Sequence, residues 1–337
     1  MEEKSSGKTF RMAQGISQVI VRSVAGKSLT DTVRECMEFC EWQKWVARDS
    51  KVVLKPNLCT AVPERIEAAN TEARLTAAVC EVLLERTSRI SIVETDHVRQ
   101  TAEQVFEASG YGEIAKKFGV KLVNLSKMPT VGCDCEPVGE IHLPRILLEG
   151  DVFISLPVLK THALTYFTGV LKNQWGCVPR YFDRIQHHGH IHELLSSLHR
   201  ILQPRFSVMD ALVCVEGRGP VFGPARRLDL ILASRDGVAL DSTAMRLVGL
   251  DPNRCSHVVI AAKKGLGRID AQEIVVNGDW DAHATKFQPA PKDWANTAMF
   301  YLAKHRWFFK FILANDRIYY PVRSVVQFIR RVRGFES

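Results

Sequence analysis

The stretch Asp151-Val-Phe-Ile-Ser-Leu-Pro-Val-Leu-Lys-Thr-His162 holds a largely apolar run, Val152 to Leu159, that stops at Lys160, Thr161 and His162. Four other runs stop in the same way. Val52-Val53-Leu54 ends at Lys55-Pro56-Asn57, Ile90 to Val93 at Glu94-Thr95-Asp96-His97, Phe206 to Met209 at Asp210, and Leu228 to Ala233 at Ser234-Arg235-Asp236. Short runs rich in Val, Ile and Leu, separated by helical patterns, are the mark of strands buried on both faces of a sheet. In such sheets the ligand crevice lies beyond the carboxyl ends of the strands, so the polar endings are expected to share one site.

Outward from these runs the chain alternates between strand and helix. A first strand is expected over Gln18 to Val24, and Thr30 or Asp31 is placed to cap a helix reaching about Val46. Helices are expected over 71–85 and 101–118, a strand over 120–123, a helix-like stretch over 163–174, and helices over 190–202, 237–248 and 255–264. The expected fold is therefore α/β, a wound and mainly parallel sheet flanked by helices. The segment from Lys127 to Gly150 breaks the rhythm as a loop or short antiparallel insertion. It either divides the body, residues 1–285, into two lobes or interrupts a single one.

The 337 residues are 46% hydrophobic and 24% charged, which excludes disordered and fibrous classes. Met1 to Gly15 lacks the apolar stretch of a secretory signal, and no run reaches the roughly 18 apolar residues of a spanning helix, so a cytoplasmic protein is expected. Nine cysteines without regular spacing are read as reduced thiols. On a helix, Cys36 and Cys40 share a face with Val33 and Met37, which makes them core residues. Ten Lys and Arg but three Asp and Glu lie from Lys286 onward, so nearly all of the net charge of +8 belongs to a tail over 286–337.

Several motifs carry chemistry. His162 lies two residues beyond Lys160, on the same side of an extended segment, where one side chain can bind a metal or move a proton while the other holds an anion. Lys172 and Asn173 follow and can orient a substrate; were 163–174 one helix, Lys172 would lie about 14 Å along its axis, and contact with His162 would need a bend at Gly169. Asp96, His97 and Asp210 are candidate proton carriers, and Lys55 and Asn57 candidate substrate ligands. Glu216-Gly217-Arg218-Gly219-Pro220 and Gly223 form a loop whose backbone amides and arginine suit an anion, or else a plain turn. No nucleotide-binding glycine spacing is present. On one helix His188 and His192 would form an i, i+4 pair able to bind one divalent metal such as Fe, Ni or Zn, with Glu193 beside them, or else lie on a solvated or ion-paired face; a helix starting only at Gly189 would undo the pairing, and His162 is a separate candidate metal ligand.

The Lys160-Thr-His162 stretch, Thr168-Gly-Val-Leu-Lys-Asn173 with Gly176, Val53-Leu-Lys-Pro-Asn57, the Gly217 to Gly223 loop and Asp236-Gly-Val-Ala-Leu-Asp241 together resemble the family known as domain of unknown function 362, over about 18–277. Many of its members are described as iron–sulfur proteins, but this chain holds no ferredoxin-type cysteine run. The Lys-Thr-His and Thr-Gly-x-x-Lys-Asn stretch is also similar to the Lys- and His-bearing segments of nickel-pincer lactate racemases.

The tail over 293–333 sets aromatic residues among Lys and Arg, as in Trp307-Phe308-Phe309-Lys310-Phe311. It reads as helices packed on the body, as a peripheral membrane contact on anionic lipid, or, least, as a nucleic-acid surface. The expected function is a metal-assisted enzyme, an oxidoreductase or isomerase, acting on a small anionic substrate; a redox reaction would bring a redox partner protein with it. The alternative is a non-catalytic accessory or metal-handling protein docked to a membrane or partner through the tail.

Overall fold

The computed structural model describes residues 15–97, 100–278 and 280–291. Its twelve strands are β1 (Ser17–Ser23), β2 (Val52–Pro56), β3 (Ile90–Glu94), β4 (Lys121–Asn124), β5 (Thr130–Cys135), β6 (Gly139–Pro144), β7 (Val152–Leu156), β8 (Val158–His162), β9 (Tyr166–Phe167), β10 (Phe206–Val215), β11 (Ala225–Ser234) and β12 (Ile274–Asn277). The main sheet runs in the order β12-β1-β11-β10-β7-β2-β3-β4. Pro157 interrupts what is otherwise one strand: β7 and β8 both run parallel to β10 and pair with its successive halves. Along this path every strand is parallel to its neighbours except β11, which is antiparallel to both β1 and β10.

Burial on both faces follows from the pleat, since successive side chains point to opposite sides. Val52 and Leu54 join one apolar layer and Val53 another; Ile90 and Ile92 join the first and Val93 the second. The helices Leu29–Phe39, Ala73–Leu83, Ala102–Ala108 and Tyr111–Phe118 cover the first face. Helices Ile191–Leu202, Gly237–Leu247 and Ser256–Lys263 cover the other. Cys36 and Cys40 pack in the first layer, and burial pushes the Cys36 thiol up to about 12.

Local differences from the expected elements have physical causes. Ser28, rather than Thr30 or Asp31, caps the first helix by accepting from the Asp31 amide. That helix ends at Phe39, and a separate turn spans Trp42–Trp45. The expected helix over 101–118 is two helices, because Gly110 turns left-handed at φ 76° and redirects the chain. Residues 163–174 are not one helix. The chain turns back from β8 into β9, and only Val170–Asn173 is α-helical. The 127–150 insertion is the β5–β6 hairpin followed by the helix Arg145–Glu149. One apolar layer contains residues from before and after this insertion, including Ile20, Leu54, Val120, Ile154 and Phe206. The tail over 293–333 lies outside the described residues.

Candidate functional site

At the end of β2, Lys55 is buried, and its Nζ donates to Glu94 Oε2 at 2.7 Å, across to the end of β3. Glu94 is itself held by the amides of Leu58 at 3.2 Å and Thr95 at 2.8 Å. Asn173 donates from Nδ2 to the Lys55 carbonyl at 2.8 Å and to Ser155 Oγ at 3.0 Å, tying β2 to β7. Asn57 donates to Asn173 Oδ1 at 3.4 Å, and among the described residues its own Oδ1 has no partner. A side chain at Gly176 would come within 3.0 Å of Lys55 Nζ, so glycine lets the chain close over the ion pair.

Lys160, on β8, differs. It is fully buried, yet among the described residues its Nζ meets only the Cys59 thiol at 3.3 Å and the Ala69 carbonyl. Lys172 is partly accessible to solvent but ringed by protein. That surrounding, and next the charge of Lys160, hold its amine down at about 7. His162 accepts from the amides of Leu164 and Thr165 through Nδ1, at 3.1 and 3.3 Å, which puts its proton on Nε2. Burial, then Lys172 and Lys160, hold this imidazole well below its ordinary value. The chain reversal through β9 thus brings Lys172 back towards His162, which a continuous helix would not do.

Burial also holds His188, His199 and His257 below the ordinary imidazole value. Burial lowers His188 to about 4, and its Nδ1 lies 2.7 Å from the Arg184 carbonyl. His188 sits in a 3-10 turn and the helix begins at Ile191, so His188 and His192 are not an i, i+4 pair on one helix. His192 instead stacks on His257, with ring centroids 5.8 Å apart. Among the described residues no three of His, Cys, Asp or Glu are grouped so as to hold a metal ion, and the donors that converge here are lysine-rich. Among the described residues the set does not fit an all-protein metal cage.

Other expected site residues are tied to nearby backbone and side chains. Asp96 accepts from the Ala102 amide at 2.9 Å and from Asn124 at 2.7 Å, fixing the start of a helix. His97 Nε2 lies 2.7 Å from the Leu58 carbonyl. Asp210 accepts from the amides of Glu72 and Leu212 at 2.7 and 3.0 Å beside the bulge in β10, and burial pushes its carboxyl up to about 7. The glycine loop is occupied with its own protein. The Gly217 amide donates to Gln288 and that of Gly219 to Gly217, while Glu216 accepts from the Gln288 amide and lies 3.7 Å from Arg226. A Cβ on Gly219 would fall 1.9 Å from the Thr161 carbonyl, and one on Gly223 1.8 Å from the Glu216 carbonyl, so these glycines let the loop pack against the tip of β8 and the end of β10. Arg218 is exposed at this loop. Asp236 lies at the opposite edge of the sheet, because β11 runs antiparallel to β10.

Glu94, Cys59, Arg184 and His257 were not singled out from sequence. Glu94 had a signal, as the first polar residue after the β3 run. Arg184, which donates to Thr95 Oγ1 at 2.5 Å and to the Asp96 carbonyl, had none, nor had His257.

The fold is an α/β protein in which lysines and histidines gather as a candidate site beyond the parallel strands. The chain belongs to the family described as domain of unknown function 362, whose sequence profile matches residues 52–246. A thylakoid-associated protein of Synechocystis sp. is 27% identical over 263 residues, 76% of this chain and 80% of that protein. Among solved structures, the lactate racemase apoprotein from Thermoanaerobacterium thermosaccharolyticum matches with 14% identity and a TM-score of 0.45, over 66% of this chain and 55% of that one. A Thermotoga maritima protein matches with 12% identity and a TM-score of 0.35, over 69% of this chain and 59% of the other. The chain therefore spans less than two thirds of either solved structure. Among the described residues no helix is long and apolar enough to cross a membrane.

Proposed function

We propose that this chain is an enzyme of the isomerase type that moves a proton on a small substrate carrying a carboxylate or phosphate, bound beyond the ends of β2, β3 and β8. The observation that carries this reading is Lys160, a fully buried lysine hydrogen-bonded to a thiol and a carbonyl and in no ion pair among the described residues, although the buried Asp210 carboxylate feels its charge. A buried cation is costly unless something offsets it, and an anionic group of a substrate would do so. Beside it Lys172, at about 7, can both take and give a proton near neutral pH. His162 offers an Nε2 proton as a donor without adding charge. These side chains move protons rather than electrons, which favours an isomerase over an oxidoreductase.

The test is isotope exchange. Small 2-hydroxy and 2-amino acids are incubated with the protein in heavy water, and deuterium entering at the carbon beside the carboxylate is followed by NMR. Exchange should occur with at least one of them and disappear in Lys172→Met and His162→Ala variants that keep their circular dichroism. Exchange that persists unchanged in both variants, or none with any member of the panel, defeats the assignment.

A second reading concerns location, and the thylakoid-associated relative favours it. The basic, aromatic segment 293–333 suits a peripheral contact with anionic lipid. Co-sedimentation with vesicles rich in anionic lipid should fall at least tenfold when the chain is cut after residue 291; equal pelleting of both forms rejects this contact.

A further inference from the structure

The reversed direction of β11 builds a concavity at the other edge of the sheet. Its end, Ser234, comes to lie beside the beginnings of β1 and β10, and a cavity of about 620 Å³ opens there. That volume is in the range of small-molecule sites and far exceeds what a single inorganic ion needs. Arg200, Arg205, Arg235 and Arg268 line it, against two carboxylates, Glu41 and Asp236. Both carboxylates are already engaged. Glu41 pairs with Arg235 at 2.7 Å and with Lys44, and Asp236 accepts from Ser17 Oγ at 2.5 Å and from the amides of Val238, Ala239 and Arg268 at 2.9 Å. Arg268 pairs with Glu273 at 3.2 Å. Among the described residues Arg200 and Arg205 have no ion pair.

Trp45 prepares two of these arginines. The guanidinium carbons of Arg205 and Arg235 lie 5.3 and 4.9 Å from its ring centroid. Stacking fixes a guanidinium plane while leaving most of its N–H donors free, which suits bidentate binding of carboxylate or phosphate. The Trp45 indole N–H is buried with no partner among the described residues, a further unused donor at the same place.

We propose that this cavity is a second binding site, separate from the lysine–histidine site, for a metabolite-sized polyanion whose phosphate or carboxylate groups are held by Arg205 and Arg235, with Arg200 at the edge. The full chain is titrated calorimetrically with inorganic pyrophosphate and with citrate at constant ionic strength, which separates phosphate from carboxylate recognition. At least one should bind saturably. Arg205→Gln should weaken that binding at least tenfold and Arg200→Glu at least threefold, whereas Lys160→Met at the other edge should leave it unchanged. Arg200 is exposed and has no ion pair among the described residues, so its variant keeps the test valid if loss of Arg205 disturbs the packing on Trp45. The proposal is overturned if neither anion saturates, if both arginine variants bind as the parent does, or if Lys160→Met abolishes the binding.

Discussion

Lys55 and Lys160 occupy matching places, each near the carboxyl end of a parallel strand and each almost wholly buried, but they have different company. Lys55 faces Glu94 at 2.7 Å, and that carboxylate is fixed in turn by two backbone amides. Lys160 faces a thiol and a carbonyl. The first arrangement is closed, with each charge matched inside the protein, and it joins β2 to β3. The second leaves electropositive character at a buried place next to an amine poised near neutrality. Two lysines with the same sequence signal, an apolar run followed by a polar ending, thus serve structure in one case and suit ligand binding in the other.

The largest effect should come from opening the closed arrangement. Glu94→Gln leaves Lys55 buried without its counter-charge and should cost about 3–5 kcal/mol of stability, read by urea denaturation. A loss below about 1 kcal/mol would mean that Lys55 is not held as a buried pair. Asn173→Ala removes the donor that serves the Lys55 carbonyl and Ser155, and should cost about 1–3 kcal/mol in the same assay.

The open arrangement predicts a pH effect of definite sign. Lys172 is held at about 7, below its ordinary 10.5, so between these values the unfolded chain binds a proton that the folded one does not. Wild-type stability relative to Lys172→Met should therefore rise as pH goes from 7 to 10 and be lost as pH falls to 7. After allowance for partial solvent screening the change should be on the order of 1–2 kcal/mol. An opposite slope would show that the amine gains rather than loses protons on folding. The smallest effect on stability belongs to Lys160→Met, which replaces an unmatched buried lysine by an apolar side chain of similar length. Stability should stay within about 1 kcal/mol of the parent or rise. Because Lys160 helps to depress Lys172, labelling of Lys172 by trinitrobenzenesulfonate should move to higher pH in this variant. If Lys160→Met destabilises as much as Glu94→Gln, the contrast between the two lysines collapses.

Much of the frame was legible because it depends on neighbours in sequence. Apolar runs bounded by polar endings mark β2, β3, β7, β8, β10 and β11, and the mainly parallel order follows from helices between strands. The helix-like stretch over 163–174 differs, because the structure folds β9 back on β8 through two register pairs and keeps only Val170–Asn173 as α-helix. Of the strand endings, the one at Asp236 lies at the opposite edge. Nothing in Leu228 to Ser234 records the direction in which that strand enters the sheet.

Within the site, Lys160, His162, Lys172 and Asn173 could be picked out because they crowd a short stretch after one strand. His257 stacks on His192 from another helix 65 positions further along, and Cys59 meets Lys160 across 101 residues. The sequence by itself determined the α/β alternation, the buried faces and which strand ends bear reactive side chains, since pleat period, capping and apolar runs act over a few residues. Only the tertiary structure decided that Glu94 neutralises Lys55, that Lys160 makes no ion pair among the described residues, and that the antiparallel β11 carries Arg235 and Asp236 to the opposite edge. Those outcomes depend on strand direction and on pairing between distant segments, which the packing of the whole chain fixes.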